Sequence, residues 1–383
     1  MKFLLVLISC IYLAGCATVK FTEQTHDDPE KNRLSDTIDS MTLREKVGQM
    51  FAVAPEYFDF TLSQKQIDQE KTEASTVLTP QMKLNFKNYP AGTLILFAKN
   101  IETPGQTKEL ISSYKAESPI PLMVCVDEEG GRVARIAKNK NFGIVNVPPA
   151  LETVTAQKAE ANALAIGTYL SALGFNADFA PVADVWTNDK NTVIGDRAFS
   201  RNPEKASNLV KASIKGFHKA GTKTAIKHFP GHGDTREDSH TSSAKSMKTW
   251  EQLKKCEMIP FKASIEAGTD MVMIAHIHTP KADTENLPAT LSKTWITDRL
   301  RGKLGFNGVV VTDAMGMKAI SEYYESTQAA IMAINAGCDI ILMPHDYAKV
   351  FDGIVKAVES GTISEKRIDE SVERILLMKF RKF

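Results

Sequence analysis

The stretch from Lys227 to Thr241 reads Lys-His-Phe-Pro-Gly-His-Gly-Asp-Thr-Arg-Glu-Asp-Ser-His-Thr. It places three histidines, three acids and two basic residues in fifteen positions, around two glycines and a proline. The apolar run Thr224-Ala225-Ile226 just before it reads as a strand. The polar cluster therefore begins where a strand ends, and loops carried by rigid strands are where catalytic groups concentrate. In Asp238-Ser239-His240 the two ionisable residues are two apart, so in extended backbone they point the same way. The Asp238 carboxylate can then orient the His240 imidazole and favour its protonated form. A histidine titrates near neutrality, which suits it to donate a proton to a leaving oxygen and later take one from water. The alternative reading of His240 is a surface histidine.

Three other places carry chemistry of the same kind. Asp313 closes the apolar run Gly308-Val309-Val310-Val311-Thr312. A carboxylate at the mouth of a strand can act as a nucleophile on an anomeric carbon, or as the N-cap of a helix over 314–321. Asp127-Glu128-Glu129-Gly130-Gly131-Arg132-Val133-Ala134-Arg135 follows another apolar run, as either a binding loop or a turn with solvated charges. Arg197 lies in Ile194-Gly195-Asp196-Arg197-Ala198-Phe199. Charged donors and acceptors of these types suit the directional recognition of hydroxyl groups. Trp186 and Phe199 can face a sugar ring but read more simply as core.

These residues must be positioned by something rigid. Eight short runs read as strands: Met50–Val53, Thr93–Phe97, Leu122–Val126, Asn176–Phe179, Thr224–Lys227, Met271–Ala275, Gly308–Thr312 and Ile340–Met343. Most are continuously apolar, the pattern of strands buried on both faces of a parallel sheet. Helical patterns alternate with them. Thr42-Leu43-Arg44-Glu45 and Thr249-Trp250-Glu251-Gln252 are capping boxes. Thr103-Pro104 opens one helix, a helix across Ala161, Leu164 and Leu170 stops at Gly174, Asn202-Pro203 opens another that Gly221 ends, and Ser292 and Ser364 begin two more. Repeated strand–helix alternation predicts an α/β fold, a single (β/α)8 TIM-type barrel, with a doubly wound open sheet as the alternative. In such a barrel Asp127, His228, His276 and Asp313 all fall at or just past C-terminal strand ends, where active sites sit. The polar stretch 56–79 between the first two strands is either an inserted helix or a surface loop.

Lys-His-Phe-Pro-Gly-His-Gly followed by Asp-Ser-His resembles the catalytic loop of the β-N-acetylhexosaminidases of glycoside hydrolase family 3. The stretches Asp127–Arg135 and Thr312–Met317 extend the resemblance, which runs from about Thr42 to the C-terminus. It implies a retaining exo-β-N-acetylglucosaminidase acting on peptidoglycan-derived fragments, working through a covalent glycosyl-aspartate and needing no metal or cofactor. Asp313 matches the nucleophile, and Asp238 with His240 the acid/base dyad. Asp127, Arg135, Arg197, Lys227 and His228 match substrate-binding positions. Some relatives carry a second acid after the nucleophile, where this chain has Ala314.

Composition narrows the classes. The chain has 383 residues, 43% hydrophobic and 24% charged, ordinary for a globular enzyme. A formal net charge of +1 gives no electrostatic case for nucleic acid or a basic membrane-binding face. Residues 1–15 read as a signal peptide, with Lys2 before a short apolar core. Leu13-Ala14-Gly15-Cys16 resembles a bacterial lipobox, which implies lipidation of Cys16 and attachment to a cell-envelope membrane at its periplasmic or extracytoplasmic face. Residues 16–34 read as a tether and 35–383 as the catalytic barrel; a monomer is expected. Cys125, Cys256 and Cys338 lack the close spacing of a zinc site and read as small buried hydrophobes.

Three rival readings remain. A phosphorylase would use the same site with phosphate as acceptor, since a histidine repels phosphate less than a carboxylate does. A metal-dependent barrel hydrolase would draw ligands from His228, His232, His240, His276 and His278. A catalytically dead, lipid-anchored sugar-binding protein would keep the fold alone.

Overall fold

The structure is a computed structural model that describes residues 29–69, 74–236 and 244–383. Each of the eight apolar runs forms a strand. In chain order the strands are β1 (Phe51–Val53), β2 (Thr93–Ile95), β3 (Met123–Cys125), β4 (Ala177–Asp178), β5 (Lys223–Phe229), β6 (Ala244–Lys245), β7 (Met271–Ile274), β8 (Ile277–His278), β9 (Val309–Thr312) and β10 (Ile341–Leu342). The pair β6 and β8 was not expected. They are two residues each, too short for any periodicity to show, and pair parallel with Ala244 opposite Ile277.

The other eight make two four-stranded sheets, β10-β1-β2-β3 and β4-β5-β7-β9, parallel throughout. Backbone hydrogen bonds cross both junctions between the sheets. Asn176 N–H donates to Val124 O at 3.0 Å and Phe179 N–H to Val126 O at 2.9 Å. On the other side Thr312 N–H donates to Ile340 O and Ile340 N–H to Val310 O, each at 3.0 Å. Every residue of β1, β7 and β9 is buried, which is why these segments read as unbroken apolar runs rather than alternating ones; β5 is buried throughout as well, although it carries Lys223, Lys227 and His228.

The helices begin and end where local chemistry dictates. Thr42 Oγ1 accepts from Glu45 N–H at 3.3 Å while the Glu45 carboxylate accepts from Thr42 N–H at 2.8 Å, closing the capping box of Leu43–Gln49. Thr249 and Gln252 repeat the device. Asn202 caps Pro203–Lys219, accepting from Lys205 N–H at 2.8 Å. Gly174, at φ 101°, terminates Ala156–Leu173. Two elements differ from expectation. The first described helix spans Pro29–Ser40 and buries Leu34, inside the stretch read as a tether. After β9 the helix starts only at Lys318, so Asp313 is not its N-cap.

The 56–79 stretch is stitched to the loops beyond β2 and β10. Glu56 is fully buried and accepts from Asn100 Nδ2 at 2.6 Å, Lys99 donates to Ile67 O at 3.1 Å, and Asp346 N–H donates to Gln64 Oε1 at 3.0 Å. It contains short helical turns at Pro55–Phe58 and Gln64–Ile67. Cys125 and Cys338 are buried and Cys256 partly so, all as free thiols.

Candidate active site

The loop after β3 is folded around a carboxylate the sequence reading did not single out. Glu128 is fully buried and accepts from the N–H groups of Arg135 (2.5 Å), Ile136 (3.0 Å) and Ala137 (2.9 Å), and from the Tyr169 hydroxyl at 2.8 Å. Gly130 and Gly131 sit at φ 85° and 53°, which a side chain disfavours. With Glu128 turned into the protein, its neighbours on either side turn the other way, the alternation of extended chain. Asp127 and Glu129 thus converge on one ammonium: Lys227 Nζ lies 2.6 Å from Asp127 and 2.7 Å from Glu129. Arg197 completes the group with a two-pronged contact to Glu129, Nε at 2.8 Å and Nη2 at 2.7 Å.

This four-charge cluster is nearly dry. The side chains of Lys227, Glu129 and Arg197 are 3%, 7% and 13% exposed, and that of Asp127 is 19%. Burial by itself raises the Glu129 carboxyl, but the Arg197 and Lys227 charges outweigh it and hold the group well below the usual carboxylate range. Lys227 shows the converse: burial lowers it, and Asp127 and Glu129 carry it above its ordinary value. Glu129, a conceivable substitute proton donor, is therefore fixed as an anion.

Lys227 and His228 occupy the end of β5, joined by a cis peptide bond, with a second cis bond at Phe229–Pro230. His228 Nδ1 lies 2.7 Å from Asp184 Oδ2, and the other oxygen of Asp184 accepts from His232 N–H at 2.6 Å. Asp184 is almost fully buried, so one carboxylate fixes both histidine positions of the loop. Burial pushes its pKa up, and the contacts with His228 and His232 together bring it down. The far side of the His228 ring lies 3.4 Å from Arg197 Nη2, linking this group to the four-charge cluster. Gly233 permits the next turn: a Cβ there would lie 1.9 Å from Val185 O.

Asp313 follows β9 at the same end of the strands. Its N–H donates to Ile274 O at 2.9 Å, extending the β7–β9 ladder, and its Oδ1 accepts from Ala314 N–H at 2.8 Å. His232 feels the Asp313 charge, though burial and His228 dominate and lower the imidazole pKa. His276, after β7, lies between Thr290 Oγ1 (2.7 Å) and Ala314 O (3.0 Å).

Asp127, Lys227, Arg197 and His228 are thus gathered in one cluster, with Asp313 at the same end of the sheets. Arg135 belongs to the same loop. Its N–H binds Glu128, and its Nε is buried without a hydrogen-bond partner among the described residues. Asp238, His240 and Cys16 lie outside the described residues. On either side of Asp238 and His240, Asp234 accepts from Ser246 Oγ at 2.8 Å and pairs with Lys248 at 3.1 Å, while Lys248 also pairs with buried Glu257. Trp186 is covered by the Arg201 guanidinium, 3.8 Å from its ring centre, and Phe199 is buried. Glu128, Asp184 and Thr290 were missed. Asp184 had a signal, as a lone acid in the apolar run Ala180-Pro181-Val182-Ala183-Asp184-Val185.

Parallel strands alternating with helices, and charged residues from several strand ends meeting at the carboxyl side, define an α/β protein with an enzyme-type site. The chain belongs to the family described as glycosyl hydrolase family 3 N terminal domain, which it matches over residues 42–378. It is 35% identical over 337 residues to Beta-hexosaminidase A of Pseudoalteromonas piscicida, covering 80% of this chain and 56% of that protein. It is also 35% identical over 301 residues to the Beta-hexosaminidase of Stenotrophomonas maltophilia (strain K279a), covering 76% of this chain and 87% of that one. The chain therefore spans about half the first relative's length and most of the second's. Among solved structures it is similar to a glycoside hydrolase family 3 beta-N-acetylglucosaminidase from Paenibacillus sp. str. FPU-7. The TM-score is 0.80 at 36% identity, covering 89% of this chain and 62% of that one.

Proposed function

We propose that the protein is a retaining exo-β-N-acetylglucosaminidase that releases terminal N-acetylglucosamine from peptidoglycan-derived fragments. The observation that carries this is the meeting of Asp313 with a hydroxyl-binding type of charge cluster at the carboxyl end of parallel strands, in a chain of this family. The hydrogen bonds across both sheet junctions support a closed (β/α)8 barrel in which that end is the mouth.

In the first step an Asp313 carboxylate oxygen bonds to the anomeric carbon as the bond to the leaving oxygen breaks. That oxygen takes a proton from the His240 imidazolium, which Asp238 stabilises. In the second, a water oxygen bonds to the same carbon, its proton passes to His240, and the Asp313 ester breaks. The configuration is retained because the carbon is inverted twice. Asp127, Lys227, Arg197, His228 and Arg135 hold the sugar. The first four are pre-positioned by their mutual contacts, so little ordering remains when substrate arrives.

A panel of nitrophenyl glycosides, followed by muropeptide digestion, tests the reading. Turnover of the N-acetylglucosaminide well above the glucoside, with the β-anomer formed first, is expected. A rate that depends on added phosphate and yields a sugar phosphate would replace hydrolase by phosphorylase. Residues 1–15 we read as a signal peptide and Cys16 as a lipidated anchor, which holds the enzyme on an envelope membrane. A single acyl chain binds only marginally, so more than one is expected there. Cys16→Ala should move the protein from the detergent phase to the aqueous phase with activity unchanged; equal partitioning contradicts the anchor.

A further inference from the structure

His276 has no role in the scheme above, yet its contacts lead straight to Asp313. The residue is fully buried. Its Nε2 faces the Ala314 carbonyl at 3.0 Å, and a carbonyl oxygen only accepts, so Nε2 carries the proton there. Its Nδ1 is 2.7 Å from Thr290 Oγ1. Thr290 Oγ1 in turn lies 2.9 Å from Ala275 O and 3.2 Å from Ile274 O. Ile274 O is the acceptor of the Asp313 N–H, at 2.9 Å. The chain of contacts therefore runs from the Asp313 N–H to the carbonyl of its neighbour Ala314.

The Ala314 side of this loop matters most. Ala314 N–H donates to Asp313 Oδ1 at 2.8 Å, so the position of Ala314 sets that of the carboxylate oxygen. Three contacts fix Ala314 from beyond: His276 and the Met317 N–H, each 3.0 Å from its carbonyl oxygen, and Leu342 O accepting from Met315 N–H at 2.8 Å. Between Asp313 and Lys318 there is no helix to hold the chain. Among the described residues His276 is the side chain that reaches the Ala314 carbonyl, adding to the backbone bonds of the turn.

We propose that His276 is a positioning residue, which holds Ala314 and through it aims the Asp313 carboxylate at the anomeric carbon. This rests on Asp313 being the nucleophile. A misplacement of about 1 Å at a reacting group costs about 10²-fold in rate. A buried histidine that merely filled space would affect stability without a preference for one replacement amide over another.

The test measures the rate of covalent trapping by a slow fluorinated N-acetylglucosaminide, together with kcat, KM and melting temperature, in the full chain. His276→Ala should lower trapping and kcat about 10²-fold with KM nearly unchanged. His276→Gln carries an amide N–H to roughly the place of Nε2–H and should recover to within about tenfold of wild type. His276→Asn reaches only the Thr290 side and should resemble Ala. Thr290→Val, nearly the same shape without the hydroxyl, should lose up to about tenfold. The proposal is overturned by wild-type trapping in His276→Ala, or by Asn recovering as well as Gln. Should His276→Ala fail to fold, unchanged trapping in Thr290→Val overturns it. Asp313→Ala is assayed in parallel: turnover in that variant defeats the functional reading itself, whereas its loss alongside an active His276→Ala defeats only this inference.

Discussion

Asp339, at the N-terminal end of β10, and the pair Asp127 and Glu129, beyond the C-terminal end of β3, solve the same problem of burying carboxylates. Asp339 is fully buried and faces three guanidinium groups: Arg301 at 2.6 Å, Arg374 at 3.1 Å and Arg367 at 3.3 Å. It also accepts from Val310 N–H at 2.9 Å and Ser371 Oγ at 2.7 Å. Its contacts tie the strand to β9, to the helix Thr294–Lys303 and to the last helix, Glu365–Phe380. The Asp127 cluster has matched charges and similarly short distances, but Asp127 keeps part of its surface in solvent. The difference lies in access. In one network the carboxylate itself is fully enclosed and stabilises; in the other the Asp127 carboxylate stays partly open, and what it presents there can bind hydroxyl groups. Charge pairs alone do not mark a site. Position at the carboxyl ends of the strands does.

The comparison is sharpest where one partner is deleted. Lys227→Met leaves Asp127 and Glu129 facing each other in a dry site. It should cost about 3–5 kcal/mol in stability, read by urea denaturation, and remove measurable turnover as well. Asp339→Asn strips three arginines of their anion. Its stability loss should be of the same order, about 3–5 kcal/mol, but kcat/KM measured below the melting point should match wild type. A large loss of kcat/KM in folded Asp339→Asn would break the distinction between the two ends. Asp127→Asn should do the reverse, lowering kcat/KM about 10²-fold while stability falls by no more than about 1–3 kcal/mol.

Acid titration probes the open cluster from another direction. The folded pKa values of Glu129 and Asp184 lie below their unfolded values, after the opposing effect of burial is overcome by Arg197 and Lys227 in one case and by His228 and His232 together in the other. Their contribution is fully present above the unfolded carboxylate range of about 4 and is lost as pH falls through the folded values. Asp178, pushed up by burial, and Glu257, also raised by burial, act in the opposite sense. The single-variant comparison is therefore the informative one. Glu129→Gln should flatten the acid limb of the urea-midpoint profile; an unchanged slope contradicts the charge-locked reading of Glu129.

The smallest effect is expected where the 56–79 stretch meets the loop after β10. His345 Nε2 lies 3.2 Å from Asp68 Oδ2, and this partner raises the imidazole pKa despite partial burial. A raised folded pKa gives stability that is full below the unfolded value of about 6.5 and disappears as pH rises through the folded one. The Asp68 side chain is 42% exposed, so solvent screening keeps the effect within about 1 kcal/mol. Asp68→Asn should lower the melting temperature slightly at pH 6 and not at pH 9.

What the sequence made legible follows from what leaves a pattern. Val309, Val310 and Val311 are buried on both faces of the sheet, and an unbroken apolar run can be seen without a structure. Thr42 and Glu45 announce a helix start because the cap is built from residues three apart. Asp313 was visible as an acid ending such a run. Glu128 was not, because its partners are backbone N–H groups seven to nine residues away, which any residue type supplies. Thr290 acts on β7 and His276 from a distant loop, a relation with no spacing rule. The helix at Pro29–Ser40 was hidden by its polarity, since only Leu34 and the packing of a later helix reveal it.

The account stands on Asp313 as the group that takes the sugar. Trapping the enzyme with a slow fluorinated N-acetylglucosaminide and mapping the added mass by peptide mass spectrometry tests that most directly. One sugar per chain is expected, esterified to Asp313 in the peptide containing Val309–Met317. A label on any other residue, or catalysis with no covalent adduct and an inverted first product, would contradict it.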